Sequence, residues 1–250
     1  MHPDLTDKAI LITGAGRGLG RHAAQHLAAC GAKIGAADID SRTCQETVEY
    51  ICNQGGTAFA YTGDMSEREI FMQIAGNFAA ECGQIDVVIN NAMLLRYEPI
   101  EEVRDEALDR MLAIGIKAAV WGAQALVQHY DPERGGTIIN MASPVVKRGY
   151  PNTAVYSAVK AALVSLTQVL AAELGPRGIR VNAVSPASVP TPGAVGMVSQ
   201  EEYAKRSATI PLRRIGREED NSNAIAFLLS AEAAFINGEV LNVDGGASVS

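Results

Sequence analysis

Ala9-Ile10-Leu11-Ile12-Thr13 runs directly into Gly14-Ala15-Gly16-Arg17-Gly18-Leu19-Gly20, and a helical pattern continues to about Ala29. The apolar run reads as a buried strand, and the glycines form a turn that another group can approach closely. Gly31 falls where a glycine would close the helix. A helix start at this turn offers unpaired N–H groups and the positive end of the helix dipole, a natural seat for a pyrophosphate. The spacing is G-x-x-x-G-x-G, from Gly14, Gly18 and Gly20; Leu19 stands where G-x-G-x-x-G would need its third glycine.

The strand-then-helix rhythm repeats along the chain. Strands are expected at 33–37, 57–62, 85–90, 136–141, 179–184 and 239–243, with helices near 41–53, 66–82, 104–128, after Tyr156, and at 218–230. Strands alternating with helices mean a parallel sheet covered on both faces. The expected fold is α/β: a single Rossmann-type doubly wound domain over residues 1–250, with a mostly or wholly parallel seven-stranded sheet. Residues 187–216 open rich in Pro, Gly and Ser, then turn helical near Gln200–Ser207, as a lid over a substrate would.

Asp38 ends the second strand. A carboxylate there accepts hydrogen bonds from the adenosine ribose hydroxyls and repels a 2′-phosphate. Ile39 follows it, so no cation sits at that position to receive such a phosphate; Arg17 in the glycine turn argues mildly the other way. The expected cofactor is NAD(H).

Bulk properties narrow the partners. Apolar residues make up 48% of the 250-residue chain and the net charge is −7, which suits a globular enzyme and argues against nucleic acid. The N-terminal residues show no apolar secretory segment, and Lys117 interrupts the most hydrophobic candidate for a membrane span, around 114–127. Cys30, Cys44, Cys52 and Cys82 show no C-x-x-C pair and read as reduced thiols in a cytoplasmic protein.

Tyr156 and Lys160 lie four apart on a predicted helix, one turn above each other. A nearby ammonium favours the phenolate, so Tyr156 is expected to have a lowered pKa and to exchange a proton with a substrate oxygen. Ser143 could hold that oxygen. A surface Tyr/Lys pair has the same spacing, so this assignment leans on the rest of the chain.

Taken in order, Thr13-Gly-x-x-x-Gly18-x-Gly20, Asp64, Asn90-Asn91-Ala92, Ser143, Tyr156-x-x-x-Lys160, Arg180-Val-Asn-Ala-Val-Ser-Pro186, Thr191-Pro192 and Val243-Asp244-Gly245-Gly246 resemble the short-chain dehydrogenase/reductase family over nearly the whole chain. The resemblance implies nucleotide-dependent oxidation of an alcohol or reduction of a ketone on a small molecule. Tyr156 would be the general acid/base, Lys160 would lower its pKa and hold the nicotinamide ribose, and Ser143 would orient the substrate oxygen. Gly14, Arg17, Gly18, Leu19, Gly20, Asp38, Ile39, Asp64, Met65, Asn90, Val189 and Thr191 would line the cofactor, the last two holding the carboxamide. It also implies a homo-oligomer, expected as a tetramer through the fourth and fifth helices and the last strand. No metal site is expected, and His22 and His26 are read as an outward-facing pair.

Three positions depart from the family pattern. Gly115 stands where a catalytic asparagine is usual, Met93 follows Asn-Asn-Ala in place of glycine, and Ala187 follows Pro186 in place of glycine. A mid-helix glycine permits a kink whose freed carbonyl binds water. On this reading Gly115→Asn would leave the fold intact and change turnover or its pH dependence. The alternatives to an alcohol dehydrogenase are a cofactor-binding pseudoenzyme and a reductase of acyl-carrier-protein substrates. Arg213, Arg214 and Arg217 would be the docking cluster of the second.

Overall fold

The computed structural model describes residues 3–192 and 198–249. Seven strands form one sheet in the order β3-β2-β1-β4-β5-β6-β7: β1 (Ala9–Thr13), β2 (Lys33–Asp38), β3 (Thr57–Thr62), β4 (Val87–Asn90), β5 (Gly136–Met141), β6 (Ile179–Pro186) and β7 (Val240–Val243). Every pairing is parallel. The fourth strand begins two residues later than the sequence pattern suggested. Ile85 and Asp86 still bond backbone to neighbours, Ile85 N to His129 O and Asp86 N to Ala9 O.

Alternation along the central strands explains why both faces are covered. Ile10 and Ile12 point into one apolar layer while Leu11, between them, points into the other. The first layer is filled by α1 (Gly18–Ala29), α2 (Ser41–Asn53) and α8 (Glu218–Leu229). The second is filled by α3 (Arg68–Cys82), α5 (Ala118–His129) and α6 (Ala154–Leu174). Phe71 and Phe78 of α3 are among the largest fully buried side chains, each contributing roughly 1.5–3 kcal/mol by leaving water. Trp121 packs edge-on against Phe71, with ring centroids 6.4 Å apart, so it belongs to this core.

The expected long fourth helix is interrupted. α4 (Asp105–Leu112) passes through a π-helical turn at Ala113–Lys117 before α5 begins. The Ala118 amide bonds back to Ala113 O, five residues earlier, where an α-helix would reach four. The stretches Asp105–His129 and Ala154–Arg177 are each long and apolar enough to cross a membrane, a feature the sequence reading placed below that length. Both flank the sheet as its packing helices, with α5 beside α3 and α6 beside β6.

Strand order reverses direction at β1 and β4. From β1 the chain winds outward through β2 and β3; it then returns to the other side of β1 and continues from β4 to β7. The crevice beyond the carboxyl ends of β1 and β4 is therefore the binding place in this architecture.

Candidate active site and cofactor cleft

The glycine turn leaves β1 at Gly14, whose φ of +67° lies in the left-handed region, and reaches α1 at Gly18, with φ of +55°. The turn is held tightly from behind. Asn91 Nδ2 donates to Thr13 O at 2.9 Å and Gly14 O at 3.1 Å, and Thr13 Oγ1 accepts from the amides of Asn91 and Ala92. A Cβ at Gly20 would collide with Gly14 O, and one at Gly14 would come within 2.9 Å of Ala92 Cα. Glycine is needed for this packing as well as for ligand approach. The first turn of α1 carries no acidic residue, so nothing competes with an anion there.

Asp38 sits beside the turn. Its Oδ2 accepts from Gly16 N at 2.8 Å and its Oδ1 from Asp40 N at 3.0 Å. Nearby cations are committed elsewhere: Arg21 donates to Gly16 O and Thr43 O, and both Arg21 and Arg42 pair with Glu46. Arg17 is exposed at the mouth of the turn. Ile39, 60% exposed, presents an apolar surface next to Asp38. Asp64 follows β3, accepts from Ser66, and pairs with Arg110 of α4 at 2.8 Å; Met65 is buried behind it.

On the far side of the crevice, Val189 is buried, and the Thr191 amide donates to its carbonyl at 2.9 Å. Thr191 lies over Gly18, within 3.2 Å of where a Cβ would stand. Thr191 therefore flanks the glycine turn on one side and Asp38 on the other, while Asp64 follows β3 and Asn90 ends β4. Residues 193–197, the middle of the expected lid, lie outside the described residues; α7 (Gln200–Thr209) forms its helix.

One feature fits a nicotinamide dinucleotide: the glycine cradle, whose close approaches admit no Cβ. Asn90 Nδ2 donates to Asn140 Oδ1 at 2.9 Å, and Asn140 Nδ2 donates on to Thr167 Oγ1. Asn90 Oδ1 is buried against Gly122 of α5, where even a Cβ on that glycine would collide with it.

Ser143, Tyr156 and Lys160 meet at the carboxyl end of β5. Ser143 caps the turn after that strand, and its hydroxyl is a hydrogen-bond partner of the Tyr156 phenol. Lys160 is buried, donates from Nζ to Met141 O at 2.6 Å, and stands 5.6 Å from the Tyr156 ring centroid. The electrostatics differ from expectation. Burial pushes Tyr156 above the usual phenol range, the nearby Tyr97 adds to the rise, and only the Ser143 hydrogen bond opposes it. Burial likewise pulls Lys160 down to about 8. Both groups are driven toward their neutral forms, because desolvation outweighs their mutual attraction in this geometry.

Three further residues shape the site; Asn91 belongs to the Asn90-Asn91-Ala92 motif, and no sequence signal singled out Tyr97 or Val159. Tyr97, in the loop after β4, packs edge-on against Tyr156 with centroids 5.5 Å apart. Asn91 locks the glycine turn. Val159 fills the space above Gly115: a Cβ at Gly115 would run into Val159 Cγ1 and come within 3.2 Å of Met93 Sδ. The expectation that Gly115→Asn leaves the fold undisturbed is therefore corrected, since a β-branched side chain already occupies the room an asparagine would need. The π-turn at this position agrees with the expected kink.

The remaining candidates resolve into structure. His22 and His26 do not face outward; their rings stack at 6.3 Å and His22 Nδ1 is 2.7 Å from Ser222 Oγ of α8. No group of three potential metal ligands occurs among the described residues. His129 ends α5, but burial lowers its pKa, which weakens its value as a positive cap. Arg214 makes two hydrogen bonds to Asp220, at 2.6 and 2.7 Å, which neutralises much of the Arg213–Arg217 cluster.

A family model described as enoyl-(acyl carrier protein) reductase matches residues 14–248. The chain belongs to the short-chain dehydrogenase/reductase family. An uncharacterized oxidoreductase of Thermotoga maritima is 37% identical over 246 residues, covering 96% of this chain and 97% of that protein. A 3-ketoacyl-(acyl-carrier-protein) reductase from Brucella melitensis, solved with NADH, is 32% identical with a TM-score of 0.90, covering 98% of this chain and 100% of that one. A short-chain dehydrogenase from Burkholderia cenocepacia, solved with NADP, is 30% identical with a TM-score of 0.91 over the same shares. This short-chain oxidoreductase therefore has relatives holding either nicotinamide dinucleotide, and likeness alone does not choose between them.

Proposed function

We propose that this chain is an NAD(H)-dependent oxidoreductase that interconverts a small secondary alcohol and its ketone, with Tyr156 as general acid/base. The observation that carries this reading is the convergence of Ser143, Tyr156 and Lys160 beside the glycine cradle. The cofactor supplies the hydride exchange. In reduction, Tyr156 gives its proton to the substrate oxygen while Ser143 holds that oxygen in place; in oxidation Tyr156 takes the proton back. A phenol kept protonated by burial suits the reductive direction near neutrality. Lys160, anchored on Met141 O, would face the nicotinamide ribose, and Val189 and Thr191 its carboxamide.

The choice of NAD(H) is supported by Asp38 at the ribose position. A 2′-phosphate placed beside Asp38 would meet that carboxylate directly, whereas the exposed Arg17 and the surface pair of Arg42 with Glu46 stand further out. Acyl-carrier-protein reduction is the second reading, favoured by the Brucella likeness and weakened by the pairing of Arg214 with Asp220. A cytoplasmic homotetramer built through the α4–α5 stretch, α6 and β7 accompanies the proposal, and light scattering on the purified protein checks its mass.

A spectrophotometric screen of alcohols and ketones against both cofactors tests the function. Turnover with NAD(H) that Tyr156→Phe abolishes is expected. Cofactor binding with no such turnover would favour a pseudoenzyme.

A further inference from the structure

The lid helix brings one cation to the substrate side of the cleft. Arg206 of α7 donates from Nη1 to Ser188 Oγ at 3.1 Å, which anchors it at the end of β6, one residue before Val189. Its Nε pairs with Glu202 one turn back, at 3.0 Å, and both side chains remain partly open to solvent. No acceptor among the described residues takes its Nη2. The positive charge of Arg206 also reaches the Tyr97 hydroxyl, where it opposes the rise caused by burial, and the Tyr97 ring rests on Tyr156. Arg206 is thus anchored at Ser188 and lies within electrostatic reach of Tyr97, the ring that packs on the reacting phenol. A second cation, Arg148, is held over the Tyr150 ring at 5.9 Å on the loop between Ser143 and Tyr156.

We propose that Arg206 recognises an anionic group, a carboxylate or a sulfonate, carried by the substrate several ångströms from its carbinol carbon. This inference rests on the alcohol/ketone reading above and names the substrate class of that same site. Glu202 does not preclude it, because an exposed ion pair is worth little and yields to a ligand that forms two parallel hydrogen bonds with the guanidinium. Tyr97 would supply the apolar wall between the anion and the reacting carbon.

The probes are 4-acetylbenzoate and its methyl ester, ketones that differ by the charge and one methyl group. The native enzyme is expected to prefer the acid at least tenfold in kcat/KM, through KM. Arg206→Gln should abolish that preference, and Arg206→Lys should restore part of it. A merely structural arginine would lower both ketones alike in Arg206→Gln, and that result overturns the proposal. So does equal use of acid and ester by the native protein. If neither ketone is reduced, calorimetric titration decides: the alcohol/ketone reading then loses support by itself. Binding of 4-acetylbenzoate that exceeds that of the ester, and that Arg206→Gln weakens tenfold, still sustains the anion site. Equal or absent binding of the two overturns it.

Discussion

The two sides of the crevice are built differently. On the nucleotide side, between β1 and β2, the polar groups are bonded within the chain: Asp38 to Gly16, Asn91 to Gly14 and Thr13, Arg21 to the turn and to Glu46. On the chemical side, beyond β4 and β5, Asn90 Oδ1 is unpaired, and Tyr156 and Lys160 are shifted by burial away from their charged forms. The first side is a cradle already braced by its own hydrogen bonds. The second holds two buried titratable groups suited to proton transfer.

Each side can be broken separately. On the nucleotide side, Asp38→Ala should lower the NAD-over-NADP preference in kcat/KM by about a hundredfold, since it removes both the ribose acceptor and the charge facing a 2′-phosphate. Steady-state kinetics with both cofactors checks it, and an unchanged ratio would detach Asp38 from selectivity. Next comes overpacking on the chemical side. Gly115→Asn should cost about 1–3 kcal/mol in urea unfolding, and adding Val159→Ala should recover most of that loss. Equal midpoints for Gly115→Asn and the native protein would mean that Val159 yields freely.

The pH profile sharpens the contrast further. Because burial holds Tyr156 in its protonated form, kcat/KM for alcohol oxidation should climb about a hundredfold between pH 7 and 9 while ketone reduction changes little. A plateau for oxidation already at pH 7 would place the phenol lower than its surroundings imply. The smallest effect concerns stability. Lys160 falls to about 8 in the folded chain from an ordinary 10.5. The unfolded chain therefore holds more protons between those values, and stability rises with pH across that window. Below about pH 8 the penalty is complete, on the order of 3 kcal/mol, offset in part by the hydrogen bond to Met141 O. Lys160→Met should thus unfold about 1 kcal/mol later at pH 7, measured by thermal or urea denaturation; a less stable variant would show the anchor outweighing the burial.

The nucleotide side was legible in the sequence because spacing alone encodes it. A strand, a glycine turn and an acid after the next strand fix backbone positions whatever packs around them, and the all-parallel sheet followed from the βα alternation. The π-turn, by contrast, depends on how Gly115 meets Val159, forty-four positions away in sequence (159 − 115). No local pattern carries that contact. Tyr97 escaped notice for the same reason, since its place comes from a loop that sets its ring against Tyr156. The expected direction of the Tyr156 shift failed because a four-residue spacing reports proximity to a cation and is silent on desolvation, which here is the larger effect. His22 and His26 were misplaced because a helix that packs a second helix, α8, on its outer side shows the same sequence period as one facing solvent.

The central claim is that Tyr156 moves the proton while the cofactor cleft stands independent of it. The most direct test measures NADH affinity by fluorescence and deuteride transfer from [4-²H]NADH to a ketone, in the native protein and in Tyr156→Phe. Retained affinity within about twofold, together with at least a thousandfold loss of transfer, is the predicted result. Transfer by Tyr156→Phe within tenfold of the native rate would contradict it.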